Sequence, residues 1–385
     1  MQPPSAAHSR LDALTSLRFF AAFHVLLVHL GANGMLAGAP RAVQKLAAVG
    51  YLGVNFFFVL SGFVLVYAYD GRRFAARDFW QARFARIYPA YAASLLFSLP
   101  MFSWVLIHLN FPFLEWAKQH LSLTCLMVAT LSQSWVPQIA SAWNPVAWSL
   151  AVEAFFYLCF PLLFPALARV GRRRLLAVAA AAWAASLTLG AAYVVLAPDG
   201  VAHPTSAYEN LFWLNVLRFN PLSCLPEFLV GMAAGLVFTK SRMWPGAAAW
   251  LALAGAAGFI AVVIFSDAIP YPTLHSGLLS PAFAAVIFAA ALRPGWMKKL
   301  LEARWLVLLG DASYSLYLLH FTVIWMALVW LGHGAATFAG DCGVVAASIA
   351  LSLASYKFIE QPARRKLREL SPGRPAAAAA GAVSA

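Results

Sequence analysis

Ten apolar stretches of about twenty residues, separated by short segments that gather Gly, Pro and positive charge, constrain this chain more than any other feature. They lie near residues 12–33, 50–69, 89–109, 146–168, 175–196, 220–239, 245–266, 276–292, 305–331 and 341–359. A helix needs about 20 apolar residues to cross the hydrocarbon core of a bilayer, and backbone polar groups there must be satisfied within the helix itself. Of the 385 residues, 62% are hydrophobic and only 11% charged, against roughly 25% charged in an ordinary soluble domain. A soluble core cannot absorb that much apolar surface. The expected fold is therefore all-α: a polytopic helical membrane protein with about ten transmembrane helices.

Positive charge sets the expected orientation. The net charge is +13, but Lys and Arg stand in short runs between apolar stretches, which marks a topology signal rather than a nucleic-acid surface. With the N-terminus inside and ten alternating spans, 22 Lys and Arg fall on the inner face; only Arg41, Lys45, Lys118 and Arg218 fall outside, and Arg18 lies within the first span. That bias predicts cytoplasmic N- and C-termini. Residues 120–135 are apolar enough for an eleventh span, yet counting them would reverse Arg172, Arg173, Arg174 and every later basic cluster. They are read as a re-entrant or interfacial segment at the outer face, a candidate wall of an active site. Arg10 precedes an apolar run as in a signal peptide, but Arg18, His24 and His29 interrupt the run and favour a retained first helix. The domain reading is one membrane domain over residues 1–366 and a disordered cytoplasmic tail over 367–385. Cys125, Cys159, Cys224 and Cys342 stand far apart in apolar contexts, read as buried thiols, and no metal site is expected.

An ionisable side chain at the centre of a spanning helix costs roughly 2.5 kcal/mol or more, so each one calls for a reason. Arg18, His24 and His29 occupy the first span, Glu153 the fourth, Glu227 the sixth, and Asp311 and His320 the ninth. Arg18 and His29 are eleven residues apart, which puts them on one face of a continuous helix about 16 Å apart, Arg18 toward the inner side and His29 toward the outer. His24 falls on another face and is read as a packed histidine bonded to a neighbouring helix. Glu153 lies at a depth between His29 and Arg18; it either orients one of them or forms a buried salt bridge to Arg18 with no chemical role. Arg83 and Arg86 can present two guanidiniums to phosphate groups, or serve topology and anionic lipid alone. Small and hydroxylated residues in GVNFFFVLSGFVL and DASYSLYLLHF permit close helix approach. No GxSxG elbow is present.

Six segments in order carry a resemblance: LDALTSLRFFAAFHVLLVHL, GVNFFFVLSGFVL, FARIYPAY, WSLAVEAFFY, LGDASYSLYLLHF and YKFIEQPARR. From about residue 11 to residue 366 the chain resembles acyltransferase family 3, bacterial polytopic membrane O-acyltransferases that modify exopolysaccharides, lipopolysaccharide and some small molecules such as macrolides. The resemblance maps the family's Arg, ten residues, His signature onto Arg18 and His29, and its Arg-x-x-Arg element onto Arg83 and Arg86. Many members carry two adjacent acids in the fourth-helix motif; in this chain only Glu153 stands, followed by Ala154. Some members carry a fused extracytoplasmic domain, which is not expected in this chain, so transfer is completed in the membrane domain or with a separate extracytoplasmic partner. The resemblance implies a bacterial inner-membrane enzyme that transfers an acyl group, most simply acetyl, from cytoplasmic acyl-CoA to a hydroxyl of a carbohydrate or lipid-linked glycan. A macrolide or other small-molecule acceptor is the alternative within the family. On this reading His29, Arg18 and Glu153 are catalytic, Arg83 and Arg86 bind the donor, and acyl-CoA is a substrate with no resident cofactor. From another class, a transporter or flippase also threads a polar seam through a bundle, but no inverted repeat is visible.

Overall fold

A computed structural model describes residues 10–109, 112–201, 209–241, 246–331 and 337–369, and among them every regular element is helical. The first half contains α1 (Asp12–Ala32), α2 (Arg41–Ala48), α3 (Leu52–Tyr69), α4 (Ala76–His108), α5 (Pro112–Gln119), α6 (Leu121–Ala129), α7 (Trp148–Ala168) and α8 (Arg172–Leu196). The second contains α9 (Phe212–Phe219), α10 (Pro221–Lys240), α11 (Ala247–Phe265), α12 (Tyr271–His275), α13 (Ser280–Ala291) and α14 (Gly295–Leu301). It closes with α15 (Arg304–Asp311), α16 (Ser313–Leu331), α17 (Phe338–Ser355) and α18 (Gln361–Glu369). Nine helical stretches among the described residues are long and apolar enough to cross a bilayer, and the bent pair α15–α16 makes a tenth. The chain is thus an all-α multi-pass membrane protein.

Three stretches are buried most deeply, α1, α3 and the α12–α13 stretch Tyr271–Ala291. In α1 and α3 67% of the membrane window is buried, against 17% in the α11 stretch, which turns most of its side chains outward. Small residues let backbones meet, as the glycine-rich segments predict. A Cβ on Gly62 of α3 would overlap the Phe228 carbonyl of α10, and one on Gly231 of α10 would overlap that of Val59.

Three features depart from the sequence expectations. The ninth stretch bends by 62° between α15 and α16. The break lets Gly310 approach so closely that a Cβ there would overlap the Thr15 carbonyl of α1, while Ser313 Oγ caps the break by donating to Gly310 O at 2.7 Å. The helix α18 runs to Glu369, so residues 367–369 are helical rather than part of the expected tail; residues 370–385 of that tail lie outside the described residues. Of the four free thiols only Cys224 is buried, and Cys342 is exposed on α17.

The segment 120–135 does not span. Helix α6 has nine residues, about 14 Å of rise against a core of about 30 Å. It is tied to α4 by Tyr91 Oη donating to Val128 O at 2.6 Å and Tyr88 Oη to Ala129 O at 3.0 Å. Ser134 Oγ ties the far end to Trp148 O of α7 at 2.7 Å.

Candidate active site

Helices α1, α3, α4, α7 and α16 enclose a cavity of about 730 Å³ counted to its open mouth. Arg18 of α1, Arg83 and Arg86 of α4 and Glu153 of α7 all line it, so four of the five residues singled out in the sequence share one space. Arg83 and Arg86 reach it together because residues three apart lie on the same helix face. Helix α4 has 33 residues, about 50 Å at 1.5 Å per residue; it is longer than a hydrocarbon core is thick and carries both arginines in its N-terminal third. The Arg83 guanidinium lies over the rings of Phe79 and Tyr157, at 5.7 and 5.8 Å from their centroids. Three guanidiniums around one carboxylate leave the cavity rich in positive charge, and such an excess suits an anionic ligand that accepts several hydrogen bonds.

Glu153 does not make the contacts expected of it. Its Oε1 accepts from Tyr157 Oη at 2.5 Å and from Ser61 Oγ at 3.3 Å, and among the described residues it pairs with neither Arg18 nor an imidazole. Tyr157 sits one turn further along the same helix, a donor already in place before any other helix packs. Residues 120–135 do not line the cavity either, so the expected wall is supplied instead by α3, α7 and α16.

His29 lies beyond this cavity on the same face of α1, as its spacing from Arg18 predicts. Both face α16: Arg18 shares the cavity with Tyr314 and Tyr317, while the His29 ring meets His320 at 5.0 Å between centroids. Tyr317 links the two places, its ring lying 6.0 Å from His320. Its hydroxyl is 2.7 Å from Ser149 Oγ and donates to Val146 O at 3.0 Å.

The hydrogen bonds of the two imidazoles determine which nitrogens carry protons when both rings are neutral. His320 Nδ1 is 3.0 Å from Leu316 O, a carbonyl that can only accept, so Nδ1 carries the hydrogen and Nε2 a lone pair. His29 Nδ1 is 2.8 Å from Val25 O and 3.1 Å from His320 Nε2, both acceptors, so it too carries its hydrogen and shares it between them. The basic nitrogen of His29 is then Nε2. His24, by contrast, bonds through Nε2 to Leu46 O of α2 at 2.8 Å and packs edge-on to Phe259 of α11, as expected for a structural histidine.

The sequence alone does not mark His320 as a site residue, although YSLYLLH spaces Tyr314, Tyr317 and His320 at helical intervals. A second residue passed over is Glu360 in the π-helical turn Tyr356–Glu360. Its carboxylate accepts from Ser315 Oγ at 3.2 Å and pairs with Arg364 at 3.3 Å.

A family model described as an acyltransferase domain matches residues 11–357. Acyltransferase MdmB of Streptomyces mycarofaciens is 29% identical over 325 residues, covering 82% of this chain and 79% of the relative. Exopolysaccharide production protein ExoZ of Rhizobium meliloti is 28% identical over 342 residues, covering 87% and 96%. O-acetyltransferase OatA of Staphylococcus aureus is 24% identical over 379 residues, covering 92% of this chain but 57% of the relative. No solved structure matches.

Proposed function

The chain belongs to this acyltransferase family as a membrane O-acyltransferase, and on that premise we propose that it transfers an acetyl group from acetyl-CoA to a hydroxyl of a carbohydrate or lipid-linked glycan. The observation that carries this reading is the alignment, along α1 and α16, of an arginine-rich cavity with a histidine pair whose tautomers leave one basic nitrogen. Arg83 and Arg86 hold the donor's phosphates, and the thin pantetheine arm extends past Arg18, which stabilises the donor along its path toward His29. His29 Nε2 removes the proton as the acceptor oxygen bonds to the thioester carbonyl carbon. The carbon–sulfur bond then breaks, the thiolate takes up a proton and leaves as coenzyme A, and the acyl group remains as an ester. Glu153 holds Tyr157 and balances charge among the arginines. His320 is a positioning residue that keeps His29 in the productive tautomer. The charge bias supports cytoplasmic termini and a donor site on the inner side, and a bacterial inner membrane is the location this reading takes.

Coenzyme A release by purified protein in detergent tests the reading. Release above background that depends on Arg83, Arg86 and His29 supports it. A transporter shows none.

A further inference from the structure

Along α16 the arginine cavity is lined by Ser313, Tyr314 and Tyr317, and a second cavity of about 570 Å³, counted to its open mouth, is lined by Phe321, Thr322 and Trp325. The His29–His320 contact falls between the two stretches. Across from α16 the second cavity is closed by α4 and by the loop after α6, with Ser98, Phe102, Ser141 and Trp143. Phe321 touches both places: its ring stands edge-on to His29 at 5.2 Å and forms part of the cavity lining.

The chemistry of this lining is distinct from that of the arginine cavity. Among the described residues that line it there is no Asp, Glu, Lys, Arg or His. Aromatic surface dominates, with Trp143 flat against Phe102 at 4.8 Å and Trp325 stacked on Phe321 at 6.1 Å. The indole Nε1 of Trp143 is satisfied by Leu95 O at 3.1 Å, whereas the buried Nε1 of Trp325 has no hydrogen-bond partner among the described residues. A buried donor left unmet costs free energy, which an incoming oxygen recovers. Aromatic faces, scattered hydroxyls, one waiting N–H and no charge together match a neutral ring bearing hydroxyl groups, since the apolar face of such a ring packs on indole while its oxygens accept.

We propose that this second cavity is the acceptor subsite and that it takes an uncharged pyranose ring, one hydroxyl of which meets His29 when the Phe321 ring turns aside. The inference rests on the acyl-transfer reading for its name but not for its test. The pyranose belongs either to a polymeric glycan or to a glycosylated small molecule; the cavity chemistry is the same for both.

The test is saturable binding of tritiated hexyl β-D-glucopyranoside to the full chain in lipid nanodiscs, with hexyl β-D-glucuronide as the charged competitor. Binding by the unaltered protein, displaced at least tenfold less well by the glucuronide, is expected. Trp325→Phe, which keeps the stacked ring but removes the N–H, should weaken binding roughly five- to thirtyfold, the worth of one buried hydrogen bond. Thr322→Val should act in the same direction. Displacement by a neutral oligosaccharide identifies a glycan source, and displacement by a glycosylated macrolide a small-molecule source; either supports the subsite. No saturable binding, or equal binding by both variants and the unaltered protein, overturns it. Coenzyme A release on the same preparation separates the two claims. Release with binding indifferent to Trp325 keeps acyl transfer and removes the subsite, whereas Trp325-dependent binding without release keeps the subsite and removes acyl transfer.

Discussion

Replacing His320 tests which of the two contacting imidazoles is the base. His320 is fully buried, so His320→Leu keeps an apolar filling of similar size while deleting the acceptor 3.1 Å from His29 Nδ1. In the ground state that bond is between neutral rings and worth about 1 kcal/mol net; once His29 takes a proton the donor is charged and the bond is about twice as strong. The difference, about 1 kcal/mol, acts only in the transition state and corresponds to roughly a fivefold fall in kcat. It is an upper figure, because Nδ1 keeps Val25 O as a second acceptor at 2.8 Å. His29→Ala removes the base itself and should lower kcat by roughly 10² to 10⁴. His320→Gln, whose amide oxygen can accept from Nδ1, should recover most of the loss, which a purely packing role would not predict. The assay is steady-state coenzyme A release with saturating acceptor, reading kcat and the donor KM separately, and the donor KM should stay unchanged in all three variants. A loss of 10² or more in His320→Leu, with His29→Ala the milder variant and Gln giving no rescue, would reverse the assignment and make His320 the base.

Arg83→Ala and Arg86→Ala should raise the donor KM more than they lower kcat, because phosphate contacts are remote from the reacting carbon; an unchanged donor KM in the double variant removes them from the site. Tyr157→Phe deletes the 2.5 Å bond to Glu153 while keeping the ring beneath Arg83, and should reduce kcat/KM roughly tenfold, the cost of one hydrogen bond to a charged group; activity within a factor of two would show that the Glu153–Tyr157 bond contributes nothing to turnover. His24→Ala should retain near-normal turnover and instead lower thermal stability by about 1 kcal/mol, through the lost bond to Leu46 O; an inactive, well-folded His24→Ala protein would contradict the assignment. Reporter fusions at Arg73, Arg173, Lys298 and Arg365 should all read cytoplasmic, and a periplasmic signal at Arg173 would refute the non-spanning reading of residues 120–135.

What could be read in advance divides by the range of the interaction. The spans were legible because a bilayer imposes its own length on every helix that crosses it, and the basic clusters between them carry the topology. Segment 120–135 was legible as non-spanning for the same reason, though its exclusion from the cavity wall was not, since that depends on how far α3, α7 and α16 approach one another. The shared face of Arg18 and His29 followed from one continuous helix, Asp12–Ala32, in which spacing alone fixes direction. His320 lies 291 residues from its partner, and no periodicity within either helix reports which faces meet. The bend at Ala312 is similar: Gly310 and Ser313 are ordinary residues until Thr15 approaches from α1. Glu153 differs, because its partner was within reach of a local rule. A carboxylate that enters lipid with a helix first meets the donors one turn away on that helix, and WSLAVEAFFY supplies Tyr157 at four residues. Arg18 comes near only through the packing of α1, and His29 lies beyond the cavity, whereas the tyrosine hydroxyl stands on the same helix and satisfies one carboxylate oxygen. For an intramembrane acid, the donors on its own helix are therefore the first partners to test, and a distant cation has to compete with them at the cost of breaking a bond already made.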